Sequence, residues 1–264
     1  MKITGRTRVY GIIADPIHHV KTPEAMHLVF DRYGVDGVLV PIHVSPDGLP
    51  EMMAGLRQMR NFGGFIATVP HKPAMIDLCD EVDAHARLIG AANIVRREPD
   101  GRMVGAMLDG IGFVTALRQA GIKPEGTRVW LCGAGGASSA IAFALAEAGV
   151  ASLTISNRTR DKAAELAARV REAFPAVEAS AEESALEEHD LVVNGTSLGM
   201  RPEDPLPFDT SRLRKEQVVA EAIMEPAMTP LLQAAQATGC RIQLGRPMLD
   251  AQIELMARHM GAIP

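Results

Sequence analysis

A glycine-rich turn near the middle of the chain has the residue types of a dinucleotide-binding site. An apolar run from Val129 leads into Gly133-Ala-Gly-Gly-Ala-Ser138, and an alanine-rich amphipathic segment follows. Gly133 permits a tight turn, Gly135 lets the backbone approach a pyrophosphate, and Ser138 is small enough for close packing of helix on strand. The helix that follows would offer unpaired N–H groups and the positive end of its dipole to the phosphates.

The tip of the next strand indicates which dinucleotide would bind. Ser152–Ser156 is predicted to be a strand, and it ends in Asn157-Arg158-Thr159. An NAD-type site usually has Asp or Glu here, about 20 residues past the glycines, to hold the ribose 2′-hydroxyl. A guanidinium suits a 2′-phosphate instead, because it forms bidentate, charge-assisted hydrogen bonds. We therefore expect NADP(H), although Arg158 is also compatible with a solvated surface arginine.

Length and composition favour a cytoplasmic enzyme. A chain of 264 residues that is 47% hydrophobic can form one large domain or two ordinary ones. Its net charge of −5 gives no electrostatic reason to expect nucleic acid or an anionic membrane as a partner. No apolar run approaches the length needed to span a bilayer. The first residues lack the apolar stretch and small-residue cleavage site of a secretory leader.

The cysteines and histidines predict neither disulfides nor a metal site. Cys79, Cys132 and Cys240 show no pair spacing, and an odd count without a pattern indicates reduced thiols in a reducing compartment. The histidines are scattered, with no His-x-x-x-His or Cys-x-x-Cys pair. We expect no metal.

The first part of the chain alternates short strands with helices, as in an α/β domain. We expect strands over Arg8–Ala14, Gly37–Val44 and Gly64–Val69, helices over Pro23–Tyr33, Pro50–Arg60 and Asp77–Leu88, and a hairpin formed by Asn93–Arg97 and Met103–Ala106. The first helix would have Thr22 as its N-cap and proline at its first position.

The second part has the pattern of a doubly wound, parallel sheet. A helix over Asp109–Gln119 would link the two parts. We expect strands over Arg128–Cys132, Ser152–Ser156, Asp190–Asn194, Gln217–Ala220 and Arg241–Leu244, and helices after the glycine turn and over Asp161–Phe174, Pro230–Thr238 and Pro247–Met260. The loop Gly195–Ser211 would lie over the carboxyl edge of the sheet, where ligands bind in such folds.

The order of short motifs resembles the shikimate dehydrogenase family over nearly the whole chain. The matching pieces are Asp15–Pro23, Ala67–Lys72, Gly90–Asn93, Asp109-Gly110, Gly133–Ser138, Asn157–Thr159, Asn194–Met200, Pro226 with Thr229-Pro230, and Met248-Leu249 with Gln252. The resemblance implies a substrate-binding catalytic domain over 1–108, a Rossmann-type NADP-binding domain over 109–246, and a catalytic cleft between them. The C-terminal helix, within 247–264, would pack back on the first domain.

The same resemblance implies which residues do the chemistry. Lys72 and Asp109 match the family's catalytic pair, and Thr68, Asn93 and Gln252 match groups that face the reacting hydroxyls. Oxidation of a secondary alcohol needs a base to remove the hydroxyl proton, and in the reductive direction the ammonium of Lys72 would protonate the developing alkoxide. Without the resemblance, Lys72 is compatible with a solvated lysine in a first helical turn, and Asp109 with an N-cap.

For the cofactor we expect contacts from the glycine turn, from the tip of the second strand, and from two later loops. These residues are Gly133, Ala134, Gly135, Gly136, Ala137, Ser138, Asn157, Arg158, Thr159, Asn194, Thr196, Ser197 and Gly245.

The chain departs from the family where the family binds the substrate carboxylate. Shikimate dehydrogenases usually use two serine hydroxyls, at positions matching Val20 and Thr22, and a tyrosine at the position of Met224. Neither Val20 nor Met224 can donate a hydrogen bond. The pocket thus keeps its alcohol end and loses much of its carboxylate end. We expect a related cyclic polyol or hydroxy acid with a smaller, neutral or more apolar far end, and not shikimate, as the best substrate.

Several alternatives remain open on the sequence alone. Arg246 or His18 could supply a cation for a carboxylate, although the first is compatible with a solvated arginine, and His18 and His19 with loop packing. Val20 is also compatible with a core position. A non-catalytic NADP-binding or sensing protein on the same fold is the second hypothesis; a relative of methylene-tetrahydrofolate dehydrogenase is disfavoured by the N-terminal motifs. Since the family contains monomers and dimers, either state is compatible.

Overall fold

The chain folds into two compact units. The structure is a computed structural model that describes residues 2–18, 20–182 and 185–264. Unit 1 comprises Met1–Leu108 with Gln252–Pro264, and unit 2 comprises Asp109–Ala251. His19, one of the two loop histidines considered above, lies outside the described residues. None of the described helices has both the length and the apolar character needed to cross a membrane.

Unit 1 is built on a six-stranded mixed sheet. Its strands are β1 (Arg8–Ala14), β2 (Gly37–His43), β3 (Phe62–Ala67), β4 (Glu81–Val82), β5 (Ile94–Arg97) and β6 (Met103–Ala106), in the spatial order β2-β1-β3-β5-β6-β4. Its helices are α1 (Thr22–Tyr33), α2 (Leu49–Gln58), α3 (Met75–Leu78) and α4 (Ala84–Ile89). β1 pairs in parallel with β2 and β3, whereas β5 pairs antiparallel with β3 and β6.

The centre of this sheet is buried on both faces. Every residue of β3 is buried, which is typical of a strand covered on both sides. The ring of Tyr10 on β1 occupies the space beside Gly63, where an added Cβ would lie 2.3 Å from a ring carbon. Only glycine fits there, and the two glycines at the start of β3 explain why the sequence predicts this strand two residues too late.

Unit 2 is a six-stranded parallel sheet with helices between the strands. Its strands are β7 (Arg128–Cys132), β8 (Ser152–Ser156), β9 (Glu178–Ser180), β10 (Leu191–Asn194), β11 (Val218–Glu221) and β12 (Arg241–Gln243). Its helices are α5 (Asp109–Gln119), α6 (Gly136–Glu147), α7 (Arg160–Ala173) and α8 (Pro230–Thr238), and α9 (Arg246–His259) runs from unit 2 into unit 1.

The strand order β12-β11-β10-β7-β8-β9 is that of a Rossmann fold. The winding direction reverses beside β7, because its sheet neighbours are β8 on one side and β10 on the other. Ligands of such sheets bind at the carboxyl ends of the strands at this reversal point. The expected α/β fold with a Rossmann-type sheet is confirmed.

A glycine brings two helices of unit 2 together. An added Cβ at Gly110 would lie 2.2 Å from the carbonyl oxygen of Ala140 and 2.7 Å from Cβ of Ala144. Since backbone cannot move aside cheaply, α5 can approach α6 this closely only with glycine here. The preceding residue, Asp109, is thereby held at a fixed start of α5.

Two local expectations for unit 1 are wrong. Lys21, not Thr22, occupies the N-cap of α1, no side chain caps that helix, and Thr22 is its first residue. The segment Asp77–Leu88 is not one helix, because α3 ends at Leu78 and β4 follows. The carboxylate of Asp83 then accepts a hydrogen bond of 2.6 Å from the N–H of Ala86 and starts α4. Sheet pairing of β4 with β6 outweighs the local helical preference here.

Candidate active site and cofactor site

The turn after β7 has the backbone of a phosphate-binding loop. Gly133 has a φ of +114°, a region that L side chains rarely adopt, and an added Cβ would lie 2.4 Å from Oγ of Ser138. Ser138 is fully buried, and its hydroxyl donates a hydrogen bond of 2.8 Å to the carbonyl of Gly195. The turn after β7 is thereby tied to the loop after β10, across the reversal point of the sheet.

Open space lies beside the start of α6. Gly135 is exposed, and apart from Gly135 itself and its two chain neighbours no heavy atom of the described residues lies within 4 Å of the position where its Cβ would be. It forms the N-cap of α6 and supplies no capping side chain. Ala134, Gly136 and Ala137 are half-buried around it. The first N–H groups of this 12-residue helix therefore suit the pyrophosphate of a dinucleotide.

The residues after β8 stand beside this turn, since β8 is a direct neighbour of β7 in the sheet. The side chain of Asn157 donates a hydrogen bond of 2.9 Å to the carbonyl of Thr159, which is the N-cap of α7. Arg158, held between them, is exposed. Its guanidinium is thus accessible to a ligand phosphate, and the three residues include no carboxylate that would repel one.

The loop after β10 is held by one buried asparagine. The carbonyl oxygen of the Asn194 side chain accepts hydrogen bonds from the N–H of Thr196 at 3.0 Å and from its hydroxyl at 2.7 Å. Its amide nitrogen donates to the carbonyl of Leu198 at 3.1 Å. Thr196 is half-buried and Ser197 is exposed. Asn194 therefore sets the shape of the loop that presents both residues.

A buried carboxyl, Glu221, lies behind that asparagine and was missed in the sequence. It ends β11, is fully buried, and accepts hydrogen bonds from the amide of Asn194 at 2.9 Å and from the hydroxyl of Thr229 at 2.7 Å. Thr229 in turn caps α8 through the N–H of Leu232. Burial raises the pKa of Glu221 above its ordinary value. The only signal in the sequence is one acidic residue at the end of an apolar strand, which equally predicts an exposed strand end.

Gly245 has a packing reason to be glycine. An added Cβ would lie 2.1 Å from the carbonyl oxygen of Ile223, so the chain after β12 passes directly over the loop after β11. Met224, the next residue of that loop, is half-buried. Because this packing already explains Gly245, a cofactor contact at this position stays a prediction.

In unit 1, backbone hydrogen bonds gather Thr68, Lys72 and Asn93 at one end of β3. The carbonyl of Thr68 accepts from the N–H of His71 at 2.8 Å, and the carbonyl of Lys72 accepts from the N–H of Ala92 at 3.0 Å. Lys72 is half-buried in a turn that precedes α3, not in the first turn of a helix. This position differs from that of a solvated helix lysine.

The turn that carries Lys72 is anchored by its neighbour His71. This ring is buried, and Nε2 lies 2.9 Å from the carbonyl oxygen of Val44, so Nε2 carries the proton and donates. Burial lowers the pKa of His71, which keeps the ring neutral near pH 7. The sequence motif shows this histidine but not that it is an anchor.

Asn93 connects three segments of unit 1. It is only 1% exposed; its side-chain oxygen accepts from the N–H of Leu108 at 2.9 Å, and its amide donates to Oε1 of Gln252 at 3.3 Å. Gln252 is also buried. Asn93 and Gln252, which the resemblance assigns to one site, are therefore in direct contact. Leu108 precedes Asp109, which is buried and opens α5 in unit 2.

The positions assigned to the carboxylate end lie in different places. Val20 is half-buried just before α1, and Thr22 is buried at its start, both in unit 1. Met224 belongs to unit 2. His18 is exposed. The guanidinium Nε of Arg246 lies 2.8 Å from Oδ1 of Asp250, one helical turn along α9, so this cation already has a carboxylate partner.

Burial raises the pKa of all three cysteine thiols and thereby disfavours the reactive thiolate form. All three are free thiols. Burial raises the pKa of Cys79 to about 12 and that of Cys132 to about 11, so both stay protonated near neutrality. Within residues 2–18, 20–182 and 185–264, no group of three or more His, Cys, Asp or Glu side chains could hold a metal ion.

Two family models together match most of the chain. Residues 12–95 match the shikimate dehydrogenase substrate binding domain, and residues 115–200 match shikimate / quinate 5-dehydrogenase. The chain belongs to the shikimate dehydrogenase family. It is an oxidoreductase that acts on a CH–OH group, with NADP(H) as its cofactor.

Individual relatives cover nearly the full length. A shikimate dehydrogenase (NADP(+)) of Rubrobacter xylanophilus is 39% identical over 100% of this chain and 94% of its own. The crystal structure of shikimate dehydrogenase from Aquifex aeolicus superposes with a TM-score of 0.89 at 31% identity, over 100% of this chain and 96% of that one. A 5-ketofructose reductase of Gluconobacter sp. strain CHM43 superposes with a TM-score of 0.83 at 33% identity, over 97% and 93%.

The residues of unit 2 fit the family's cofactor. A bound NADP(H) would supply the hydride acceptor or donor. The open space beside Gly135 and the N-terminus of α6 suit its pyrophosphate, and the exposed Arg158 suits a 2′-phosphate. The buried pair Asn194 and Glu221 holds the neighbouring loop in shape.

We predict that Arg158→Gln weakens the binding of NADP+ much more than that of NAD+. Loss of one charge-assisted phosphate contact corresponds to about 10- to 100-fold in Kd for NADP+. Titration calorimetry with both dinucleotides measures the difference. Lys123→Gln is the matched control, because Lys123 is exposed and precedes β7 at the opposite edge of the same sheet. Equal weakening of both dinucleotides would show that Arg158 does not contact the 2′-phosphate.

Glu221 gives unit 2 a pH-dependent stability. Because its pKa is raised in the folded chain, its contribution is full below the ordinary value of 4.5 and is lost as the pH rises through the folded-state pKa. The unfolding free energy of the wild type minus that of Glu221→Gln should therefore fall as the pH rises from about 4 to about 8. Trp130, the single tryptophan, lies in β7, so its fluorescence reports the unfolding of unit 2. A difference that is constant with pH, or that rises, contradicts this.

Proposed function

We propose that this enzyme oxidises a secondary hydroxyl, or reduces the corresponding ketone, of a cyclic polyol or hydroxy acid, and that shikimate is not its best substrate. The observation that carries the proposal is the pair Val20 and Met224, which replaces hydrogen-bond donors with apolar side chains. A neutral polyol or keto sugar is the substrate class that fits such a pocket best.

Lys72 and Asp109 are the proposed proton-transfer pair. In oxidation, the amine of Lys72 takes the proton of the substrate hydroxyl while the carbon gives up its hydride; in reduction, the ammonium returns the proton to the oxygen. Asp109 orients the lysine side chain. Thr68, Asn93 and Gln252 hold the neighbouring hydroxyls, and the anchored turn before α3 limits the movement of Lys72.

The carboxylate end of the pocket would bind a carboxylate poorly. Two missing hydrogen bonds to a charged group cost about 3–6 kcal/mol, which is roughly two to four decades in kcat/KM. Arg246 is an unsuitable replacement because Asp250 already pairs with it. The family's usual Asn-Thr before Asp-Gly is Met107-Leu108 here, and Met107 is buried, so this segment is also more apolar than in the family.

A relative named for a neutral substrate supports a neutral polyol or keto sugar as the substrate class. The Gluconobacter protein is named a 5-ketofructose reductase, and it is 33% identical over nearly the whole chain. A keto sugar of that kind has hydroxyls and a ketone but no carboxylate. The same fold therefore has at least one relative whose named substrate makes no demand on the positions of Val20 and Met224.

The first test is a substrate screen with purified protein. Cyclic polyols are tested for NADPH formation, and keto sugars for NADPH consumption, with shikimate alongside. A neutral compound should be turned over with higher kcat/KM than shikimate. Shikimate turnover in the efficient range of about 10⁴–10⁸ M⁻¹s⁻¹ would overturn the proposal. Binding of NADP+ without turnover of any compound would favour the non-catalytic sensing protein instead.

We predict that hydrogen-bond donors introduced at positions 20 and 224 increase activity on shikimate. The double variant Val20→Ser with Met224→Tyr should raise kcat/KM for shikimate by about two to four decades, because two hydrogen bonds to the carboxylate are regained. The matched control is Val20→Ala with Met224→Phe, which has nearly the same shape but no hydroxyls. If both double variants use shikimate equally well, the missing hydroxyls do not set the specificity.

A further inference from the structure

Unit 1 contains an open cavity whose position differs from that of the residues discussed so far. It has a volume of about 900 Å³ and is formed by the start of β1, the end of α2, the β5–β6 hairpin and the residues after α9. The cavity lies toward the start of β1, whereas Thr68 and Lys72 follow the end of β3. β1 and β3 run parallel, so these are opposite edges of one sheet, about 20 Å apart for a strand of six residues.

Six arginines line this cavity, although the chain as a whole carries a net charge of −5. They are Arg8, Arg57, Arg60, Arg96, Arg97 and Arg102. The only acidic residues among the lining are Glu98 and Asp100. Positive charge is therefore concentrated here by the fold, from three separate stretches of chain, and not by the overall composition.

Three of the six arginines already have carboxylate partners. Arg57 pairs with Asp80. Arg96 lies 2.5 Å from Oε1 of Glu98. Arg102 lies 2.9 Å from Oδ2 of Asp100 and also pairs with Glu81. These ion pairs rigidify the wall of the cavity and neutralise these three charges.

Among the residues that the structure describes, no acidic side chain forms an ion pair with the other three arginines. Arg8 and Arg60 are exposed, and within the described part of the chain neither side chain has a hydrogen bond or an ion pair. Arg97 is only 9% exposed, and its guanidinium donates to the carbonyls of Arg57, at 3.0 and 2.7 Å, and of Glu98, at 3.0 Å. These carbonyl oxygens accept hydrogen bonds from Arg97, but they carry no formal negative charge. The positive charge of Arg97 is therefore not neutralised by them.

From these observations we propose that the cavity binds a small molecule that carries two or more phosphate groups. Arginine suits this role, because its planar fork matches phosphate oxygens in bidentate geometry. The volume is that of a site for a metabolite, larger than one phosphate needs. Met260 and Pro99 are the only large apolar residues of the lining, which argues against an apolar ligand. Binding at this cavity does not depend on which substrate the enzyme uses.

Pyrophosphate is the probe for this site. Because the glycine turn of unit 2 also suits a pyrophosphate, the protein is first saturated with NADP+. Pyrophosphate is then titrated by calorimetry, with sodium chloride of equal ionic strength as the blank. We expect saturable binding to the wild type, weakened at least tenfold in the double variant Arg8→Gln with Arg60→Gln. Both side chains are exposed and make no side-chain hydrogen bond among the described residues, so the variant should fold; its unfolding temperature checks this.

The matched control is Arg87→Gln, an exposed arginine of unit 1 that does not line the cavity. It should bind pyrophosphate as the wild type does. No binding to the NADP+-saturated wild type would overturn the proposal. So would equal affinity in the wild type and in the Arg8/Arg60 double variant.

Discussion

The hydrogen bonds of the buried Asn93 side chain are the constraint on which the proposed chemistry of unit 1 depends. One side chain holds Leu108 through its oxygen and Gln252 through its nitrogen. Its neighbour Ala92 holds the carbonyl of Lys72. Ala92 and Asn93 together tie the segments of Lys72, Leu108 and Gln252 to one place, so in the proposed reaction a substrate hydroxyl would meet groups that need little reorganisation. Preorganisation of this kind contributes to catalysis because the entropy of orientation is lost during folding and not during the reaction.

In unit 2, the buried carboxyl group of Glu221 fixes a loop in a similar way. Asn194 shapes the loop after β10, and Glu221 fixes Asn194 from the next strand while also binding the capping residue of α8. A carboxyl with no water contact is costly unless its hydrogen bonds are satisfied, and here two donors satisfy it. Each unit thus has a buried asparagine next to a central strand: Asn93 immediately precedes β5, and Asn194 ends β10.

Features set by local chemistry were predictable from the sequence. The glycine turn, the position of Arg158 after β8 and the hairpin of β5 and β6 follow from residue types at fixed spacing, and the doubly wound, Rossmann-type sheet follows from alternating strands and helices. Features set by tertiary contacts were not. The three residues of β9 are too few to show a period. The role of Glu221 depends on its hydrogen bonds with Asn194 and Thr229, which only the folded chain shows. The arginines of the cavity come from stretches of chain that share no sequence motif.

In the proposed reaction, Lys72 carries the proton while NADP(H) exchanges a hydride with a secondary alcohol. The decisive variant is Lys72→Ala, with kcat/KM for the best substrate of the screen and the Kd for NADP+ measured on the same preparation. Loss of a general acid–base should lower kcat/KM by about 10²–10⁴ while NADP+ binding, which belongs to unit 2, stays within about twofold. A variant that retains turnover within a few fold of the wild type would contradict the claim.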